Sequence, residues 1–340
     1  MRRMHADLLL LSAAAVWGFA FLFQKSAMMH VGPVQFVAAR ATVACLALAP
    51  LALAEMRGKS VGWARVWGAA SAAGLVFFTG AVLQQWGLVT ATVTNTGFLT
   101  ALYVVVTPFI AWTLLARRPP TLIWLAVASS FIGTWLLGGG TLASFSKDDG
   151  VVALSAAFWA LHVVLVGRAG PIGRPITFTM AQFVVVAIAG AVLAPTLETV
   201  STEKLAAAWV EIAYVGLLSS ALTFTMFSIA LRHTGPAEAT IVVSTETLFA
   251  AFGAWWLIGE RLPLIGWGGA LLILGATPLV HLAPQRKTDA PQPSPREPPR
   301  GTRRADGDEP AGQPAGRGVI GGETSTGIGH SQGRPPVRLV

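Results

Sequence analysis

Residues 1–283 alternate between long apolar stretches and short polar breaks, and this alternation restricts the chain to a fold that lies in a membrane. A bilayer-spanning helix needs about 20 apolar residues, because each residue adds about 1.5 Å to its length. Ten stretches meet or approach that length: 8–28, 33–54, 66–88, 92–115, 121–140, 151–168, 175–195, 210–231, 236–257 and 263–282. The connections are mostly short, so consecutive helices are predicted to be antiparallel neighbours. The first stretch is interpreted as a retained helix, since it lacks a small-residue cleavage site before Lys25.

The composition excludes several classes of protein. Hydrophobic residues make up 54% of the chain and charged residues only 12%, whereas a soluble domain has about 25% charged residues. An ordinary soluble enzyme, a secreted disulfide scaffold and a disordered regulator are therefore excluded, and the single cysteine, Cys45, has no partner for an internal disulfide. The net charge of +8 does not indicate nucleic-acid binding, because the basic residues are spread thinly between apolar runs.

The placement of Lys and Arg tests the predicted spans. If the N-terminus is cytoplasmic, the cytoplasmic segments carry twelve of these residues and the opposite side carries three. The cytoplasmic set is Arg2, Arg3, Arg57, Lys59, Arg65, Arg117, Arg118, Arg168, Arg174, Arg232, Arg286 and Lys287, and the opposite set is Lys147, Lys204 and Arg261. This bias follows the positive-inside rule. It predicts ten transmembrane helices with both termini in the cytoplasm.

The composition changes sharply near Pro284. Residues 284–340 contain ten Pro and ten Gly, no aromatic residue, and charges of both signs. Such a segment buries too little apolar surface to offset the entropy of ordering it. We predict a disordered cytoplasmic tail.

The two halves of the membrane region, 8–140 and 151–283, resemble each other. At an offset of 142, Trp17 matches Trp159 and Gly74 matches Gly216, while Arg40 falls on Gln182. Toward the end of each half the offset is 143, as for Arg118 and Arg261, Pro120 and Pro263, and Trp124 and Trp267. Each half holds five predicted helices, so the second copy must cross the membrane upside down. Inverted repeats of this kind are typical of secondary transporters with a binding site near the midplane.

Several short motifs carry a family resemblance. They are Trp17-Gly18-Phe19-Ala20-Phe21 with Lys25, Pro33 with Phe36 and Arg40, Leu83 to Leu88, Thr94 to Tyr103 followed by Pro108, Ser244 to Ala251, Gly259 to Leu262, and Gly266-Trp267. Together they resemble the EamA-type domains of the drug/metabolite transporter superfamily over residues 8–282. The resemblance implies an all-α integral membrane protein of two five-helix repeats. It also implies a central cavity lined mainly by the first, third, fourth, sixth, eighth and ninth helices, and a location in the plasma membrane.

Charged residues inside the spans are candidates for a functional site, because a charge at the bilayer centre costs about 2.5–3.5 kcal/mol on insertion scales. Glu246 lies in the middle of the ninth stretch, where it could bind a cationic substrate or a proton, or accept a hydrogen bond from a neighbouring helix. Lys25 and Arg40 lie nearer to helix ends. They could reach the interface, or form a positive edge that attracts an anionic group or pairs with Glu246.

Neutral polar and aromatic residues complete the set of candidates. Small or polar residues at helical spacing permit close packing and interhelical hydrogen bonds, yet a face that combines several of them also suits a polar ligand. The cavity candidates are Trp17, Gln84, Asn95, Thr100, Tyr103, Trp159, His162 and Glu246. For His162 the alternatives are a proton relay and a hydrogen bond to a neighbouring carbonyl. The two tryptophans occupy equivalent positions and could stack on a substrate from both halves.

These observations predict a secondary transporter that exports a small metabolite, an amino-acid-like compound or a drug by alternating access. The sequence has no Walker-type phosphate loop, no Cys/His cluster for a metal, and no catalytic set that spacing reveals, so no cofactor and no enzymatic activity are expected. The expected partners are a small-molecule substrate, the lipid bilayer and, as a candidate, protons. A lipid-carrier flippase, an intramembrane enzyme and a membrane scaffold are the alternatives. A midplane cavity lined by Gln84, Asn95 and Glu246 would favour transport over a scaffold.

Overall fold

The computed structural model describes residues 3–57, 62–116, 118–140, 146–259, 261 and 264–282. Over these residues the chain is helical and contains no strand. The predicted tail, residues 284–340, lies outside the described residues, as do Arg2, Lys59, Arg117, Arg286 and Lys287 of the predicted cytoplasmic set.

Long apolar helices follow one another along the described chain. We number them α1 (Arg3–Ala27), α2 (Pro33–Met56), α3 (Trp63–Leu88), α4 (Val93–Leu115), α5 (Thr121–Leu137), α6 (Lys147–Ala169), α7 (Pro175–Leu197), α8 (Trp209–Ala230), α9 (Pro236–Leu257) and α10 (Leu264–Leu282). Eight of them are long and apolar enough to cross a membrane, while α5 and α10 are shorter apolar helices. The described part of the chain is therefore all-α and typical of a multi-pass membrane protein. The count of ten spans stays a prediction for the two shorter helices.

The start of α6 differs from its predicted boundary for a local reason. The apolar stretch begins at residue 151, but the helix begins at Lys147. A capping box holds the additional turn, because the Ser146 hydroxyl accepts the N–H of Asp149 while the Asp149 carboxylate accepts the N–H of Ser146. Hydropathy alone misses a polar first turn of this kind.

The exterior of the helices is apolar, as a lipid-facing surface requires. Large hydrophobic side chains stand outward on several helices, among them Leu46, Leu125, Ile188 and Leu271. Monomeric soluble proteins rarely expose large apolar patches. The polar side chains are instead concentrated inside the helix assembly.

Helices at corresponding places in the two halves pack against each other in antiparallel fashion. The second helix of each half forms one such pair, α2 with α7, and the fifth helix forms another, α5 with α10. The direction of the second pair follows from its contacts. Ser129 donates to the carbonyl of Leu272 at 3.0 Å, whereas Gly140 faces Ile265. An inverted repeat predicts this antiparallel pairing. The third helix of each half also packs on the first two helices of the other half, α3 on α6 and α7, and α8 on α1 and α2.

Two carboxylates join the ends of α2 and α7 reciprocally. Glu198 follows α7 and accepts the N–H groups of Val34 and Gln35 at 2.8 and 3.0 Å. Glu55, in the last turn of α2, accepts the N–H of Thr177 at 2.7 Å and its hydroxyl at 2.6 Å. Neither helix start has a side-chain cap of its own, so each receives from the other half the acceptor that helix N-termini need. We call these two contacts the carboxylate clasps.

Removing one clasp is expected to lower the stability of the protein. Glu198→Ala leaves the N–H groups of Val34 and Gln35 without their acceptor, and the loss of an N-terminal cap costs about 0.5–2 kcal/mol. The measurement is thermal unfolding of the detergent-solubilised protein. Glu203→Ala, which changes an exposed carboxylate near the same end of α7, is the matched control. Equal melting temperatures for the two variants would contradict the structural role of Glu198.

Two glycines at equivalent positions allow equivalent backbones to approach closely. A Cβ added to Gly74 of α3 would lie 2.7 Å from the carbonyl oxygen of Gln182, and a Cβ added to Gly216 of α8 would lie 3.1 Å from the carbonyl oxygen of Arg40. Gln182 and Arg40 are themselves equivalent in the repeat. The same close contact is therefore made twice, once by each half on the other.

Candidate functional site

A cavity of about 70 Å³ lies inside the helix assembly, between the two halves. By the measure of about 10–15 Å³ for each water, it has room for roughly five water molecules. Its lining comes from both halves: Trp17, Phe21, Gln24, Arg40, Gln84, Thr100 and Tyr103 from the first, and Trp159, His162, Val163, Ser219, Phe224, Phe227, Val243 and Glu246 from the second. The described core thus contains a small cavity, largely apolar but with several polar side chains in its lining, rather than uninterrupted packing.

The helices α4 and α9 are interrupted at the same place beside this cavity. In α4 a tight turn at residues 101–102 separates Val93–Thr100 from Tyr103–Leu115, and in α9 residues 244–245 separate Pro236–Val243 from Glu246–Gly253. The backbone hydrogen bonds across the two turns correspond one to one at an offset of 143. Interrupted helices near the interface of two repeats form the binding sites of many secondary transporters.

The first residue after each interruption is polar, and the two residues contact each other. The Tyr103 hydroxyl donates to Glu246 Oε1 at 3.1 Å. Because the two positions are related by the repeat offset of 143, a contact between them lies close to the pseudo-two-fold axis. Glu246 is 4% exposed, and among the described residues it is the only acidic side chain that lines the cavity.

The two equivalent tryptophans form apolar walls of the cavity. Trp17 lies against Phe224, with ring centroids 4.8 Å apart, and its indole N–H donates to the carbonyl of Ser219 at 2.9 Å. That carbonyl belongs to a stretch of π-helix, Tyr214–Leu222, within α8; such stretches are frequent at functional sites. Trp159 lies 5.1 Å from Phe77 between ring centroids, and its indole N–H has no hydrogen-bond partner.

Neutral polar groups make up another part of the lining. Gln84 of α3 donates to the Thr100 hydroxyl at 2.8 Å, so these two candidates are brought together at the cavity. His162 of α6 lies 3.0 Å from the side-chain carbonyl of Gln182 in α7. A single hydrogen bond to a neighbouring carbonyl is one of the two alternatives that the sequence suggested for His162.

Two of the predicted site residues lie away from the cavity. Asn95 is in the first turn of α4, where its backbone N–H donates to the N-cap hydroxyl of Thr92, and it is missing from the described residues that line the cavity. The Lys25 ammonium donates to the carbonyls of Leu88, Val89 and Ala91 at 2.9 Å each. Lys25 therefore caps the C-terminal end of α3, where a helix offers unsatisfied carbonyls and a negative dipole end.

The structure excludes one of the alternatives for Arg40, namely that its side chain reaches the membrane interface. Its side chain does not reach the interface but is 3% exposed and lines the cavity. Reaching the interface requires a free path along the helix surface, and here the guanidinium is held inside, 5.5 Å from the Phe77 ring centroid and 5.9 Å from that of Phe36. The alternative pairing with Glu246 is also not formed among the described residues.

Several lining residues were not among the sequence candidates, namely Phe21, Gln24, Val163, Ser219, Phe224, Phe227 and Val243. A signal existed for Gln24, which is a polar residue inside an apolar stretch next to Lys25. The apolar members carried no such signal, since their residue type does not distinguish a cavity wall from the lipid-facing surface or the packed core.

Comparison with known proteins gives a matching family and two named relatives. Residues 4–139 and 149–282 each match the family described as the EamA-like transporter family. A protein of Archaeoglobus fulgidus named an uncharacterized transporter is 26% identical over 285 residues, which cover 83% of this chain and 87% of that protein. The uncharacterized transporter YwfM of Bacillus subtilis is 26% identical over 298 residues, covering 84% and 96% of the two chains.

A solved structure, titled only as the crystal structure of a protein, has the same fold. It superposes with a TM-score of 0.68 at 15% sequence identity, covering 83% of this chain and 98% of that chain. At this identity the likeness concerns the arrangement of the helices.

Proposed function

Because the chain belongs to the EamA-like transporter family, we propose that it is a secondary transporter that exports a small polar metabolite by alternating access. It is a membrane transporter of two repeats, for which we propose the bounds 8–140 and 151–283. We further propose that it lies in the plasma membrane with both termini in the cytoplasm, as the distribution of Lys and Arg favours.

The observation that supports this proposal is the position of the cavity between two antiparallel halves. Its lining includes equivalent residues from each half, Trp17 with Trp159 and Tyr103 with Glu246. When each half of an inverted repeat adopts the conformation of the other, a site at their interface changes the side to which it opens. A scaffold has no need of a cavity with polar side chains in its lining at that place.

The lining residues have distinct proposed roles. Trp17 and Trp159, together with Phe224, which contacts both, form the apolar surface on which the apolar part of the substrate packs. Gln84, Thr100 and His162 offer neutral hydrogen bonds. Glu246 binds a proton or the cationic part of a substrate, and Tyr103 orients its carboxylate.

Flux measurements on purified protein in liposomes test the proposal. We expect saturable uptake of at least one compound from a panel of amino acids, small carboxylic acids, amines and sugars, and no flux in protein-free liposomes. Trp159→Ala should reduce this flux, whereas Trp267→Ala, which changes a residue that is 63% exposed, should leave it unchanged. Folded protein that moves no compound of the panel would contradict the proposal.

A further inference from the structure

Arg40 is a buried cation without an anionic partner. It lies in the eighth position of α2, and among the described residues no carboxylate lies within the 4.0 Å of an ion pair with it. The Nε and Nη2 atoms of its guanidinium are buried and have no hydrogen-bond partner. A buried charge is normally paired and hydrogen-bonded, because neither the protein interior nor the lipid replaces its hydration.

The packing around Arg40 does not remove this deficit. The rings of Phe36 and Phe77 lie 5.9 and 5.5 Å from the guanidinium carbon, and aromatic faces attract a cation. They offer no acceptor for its N–H groups, however. The guanidinium is thus held by apolar contacts, on a side chain that lines the cavity, and two of its donor atoms are without an acceptor.

Two further polar groups at the cavity are unsatisfied in the same way. The Trp159 indole N–H has no acceptor, and the Gln24 side-chain carbonyl has no donor. Gln24 is 5% exposed. Three side chains of the cavity lining, one cationic, one a neutral donor and one a neutral acceptor, therefore have buried polar atoms that the protein itself leaves unpaired. A bound molecule would complete their hydrogen bonds.

The equivalent position in the other half shows that the fold does not need a charge here. Gln182 corresponds to Arg40 in the repeat, is equally buried and contacts His162 through its side-chain carbonyl. A neutral amide thus fits the same place in the antiparallel partner helix. The arginine in the first half is better explained by a ligand than by packing.

We propose that Arg40 binds the carboxylate of the transported substrate, with the Trp159 indole N–H as an additional donor, so that the substrates are small carboxylic acids and amino acids. This inference rests on the proposed transport function. A planar guanidinium matches a carboxylate with two parallel hydrogen bonds. Arg40 is the only cationic side chain among the described residues that line the cavity, which suits a singly charged group better than a phosphate.

Thermal stability of the full chain in detergent tests the assignment. The probes are a series of aliphatic monocarboxylates and the common amino acids, each measured beside its neutral carboxamide. At least one acid is expected to raise the melting temperature of the wild type, and its carboxamide is not. Arg40→Gln, which introduces the residue of the equivalent position, should weaken the binding of that acid by roughly 10- to 100-fold, the usual effect of a lost charged hydrogen bond. Arg40→Lys, as a second variant that keeps the charge, should retain part of the affinity.

Arg168→Gln is the matched control. Arg168 is exposed near the end of α6, so this substitution should leave the affinity for the acid unchanged. Titration with chloride distinguishes a substrate site from a site for an inorganic anion. The proposal is overturned if no acid stabilises the wild type, or if acids and their carboxamides stabilise it equally. It is also overturned if Arg40→Gln and Arg40→Lys both bind the acid as the wild type does. The same conclusion follows if chloride alone reproduces the stabilisation and no acid competes with it.

Flux assays separate this inference from the proposed function. Transport of neutral or cationic compounds that Arg40→Gln leaves unchanged would refute the carboxylate site while the transport function stands. Arg40-dependent binding of an acid without any flux would refute the transport function while the binding site stands.

Discussion

Glu246→Gln is expected to remove the pH dependence of transport and to slow flux driven by a proton gradient by about 10- to 100-fold, the range for a lost interaction with a charged group. Among the described residues Glu246 is the only acidic side chain at the cavity, so no other lining carboxylate can replace it as a proton acceptor. The amide has nearly the same shape and can still accept the hydrogen bond from Tyr103. Flux across liposomes measured at several pH values provides the readout.

Tyr103→Phe is the matched control for that experiment. It removes the hydrogen bond to Glu246 Oε1 but keeps the carboxyl group, so transport should become slower and remain dependent on pH. If Glu246→Gln instead keeps the pH profile of the wild type, Glu246 is not the coupling residue. A role in packing or gating would then remain for the pair.

Gly269→Val is expected to prevent stable folding or to lower the stability by about 3 kcal/mol or more, the upper range for overpacking a close contact. A Cβ on Gly269 of α10 would overlap the carbonyl oxygen of Gly133 and would lie 2.7 Å from the backbone nitrogen of Leu137. Both neighbours are backbone atoms of α5, so no side-chain rotation relieves the overlap. The overlap can therefore be relieved only if α5 and α10 move apart.

The adjacent residue offers the control. Gly268→Val changes the same residue type on the same helix, but a Cβ there meets no atom within 4 Å. We expect nearly the wild-type melting temperature and a monodisperse elution profile in detergent for Gly268→Val, and a lower yield of folded protein for Gly269→Val. A similar yield and melting temperature for both variants would show that α5 and α10 do not pack as described.

Much of the helical framework could be predicted from the sequence, because burial in lipid leaves a direct trace in residue type. Apolar stretches mark the helices, and the pairs Trp17 with Trp159 and Gly74 with Gly216 mark equivalent places in the two halves. Glu246 could be singled out for the same reason, since a carboxylate inside an apolar stretch is rare. These features depend on local composition and on the spacing between repeats.

Other features depend on contacts that local composition does not encode. The interruptions of α4 and α9 contain no proline or glycine, the residue types that most directly predict a break in a helix. The position of Arg40 could not be read from its distance to the helix end, because the side chain's direction is set by Phe36 and Phe77 on two different helices. Asn95 was selected for its polarity, but polarity alone does not show which way a side chain faces, and the structure places Asn95 in the first turn of α4, outside the cavity lining.

The carboxylate clasps have a consequence for how the molecule can move. One clasp stands at each end of the antiparallel pair α2 and α7, and both are closed at the same time in this conformation. Two helices that are joined at both ends resist sliding along each other and moving apart. We therefore expect α2 and α7 to move as one rigid unit that spans the bilayer. In the proposed transport cycle, rocking of one half against the other would then pivot on this helix pair and displace the interrupted helices α4 and α9.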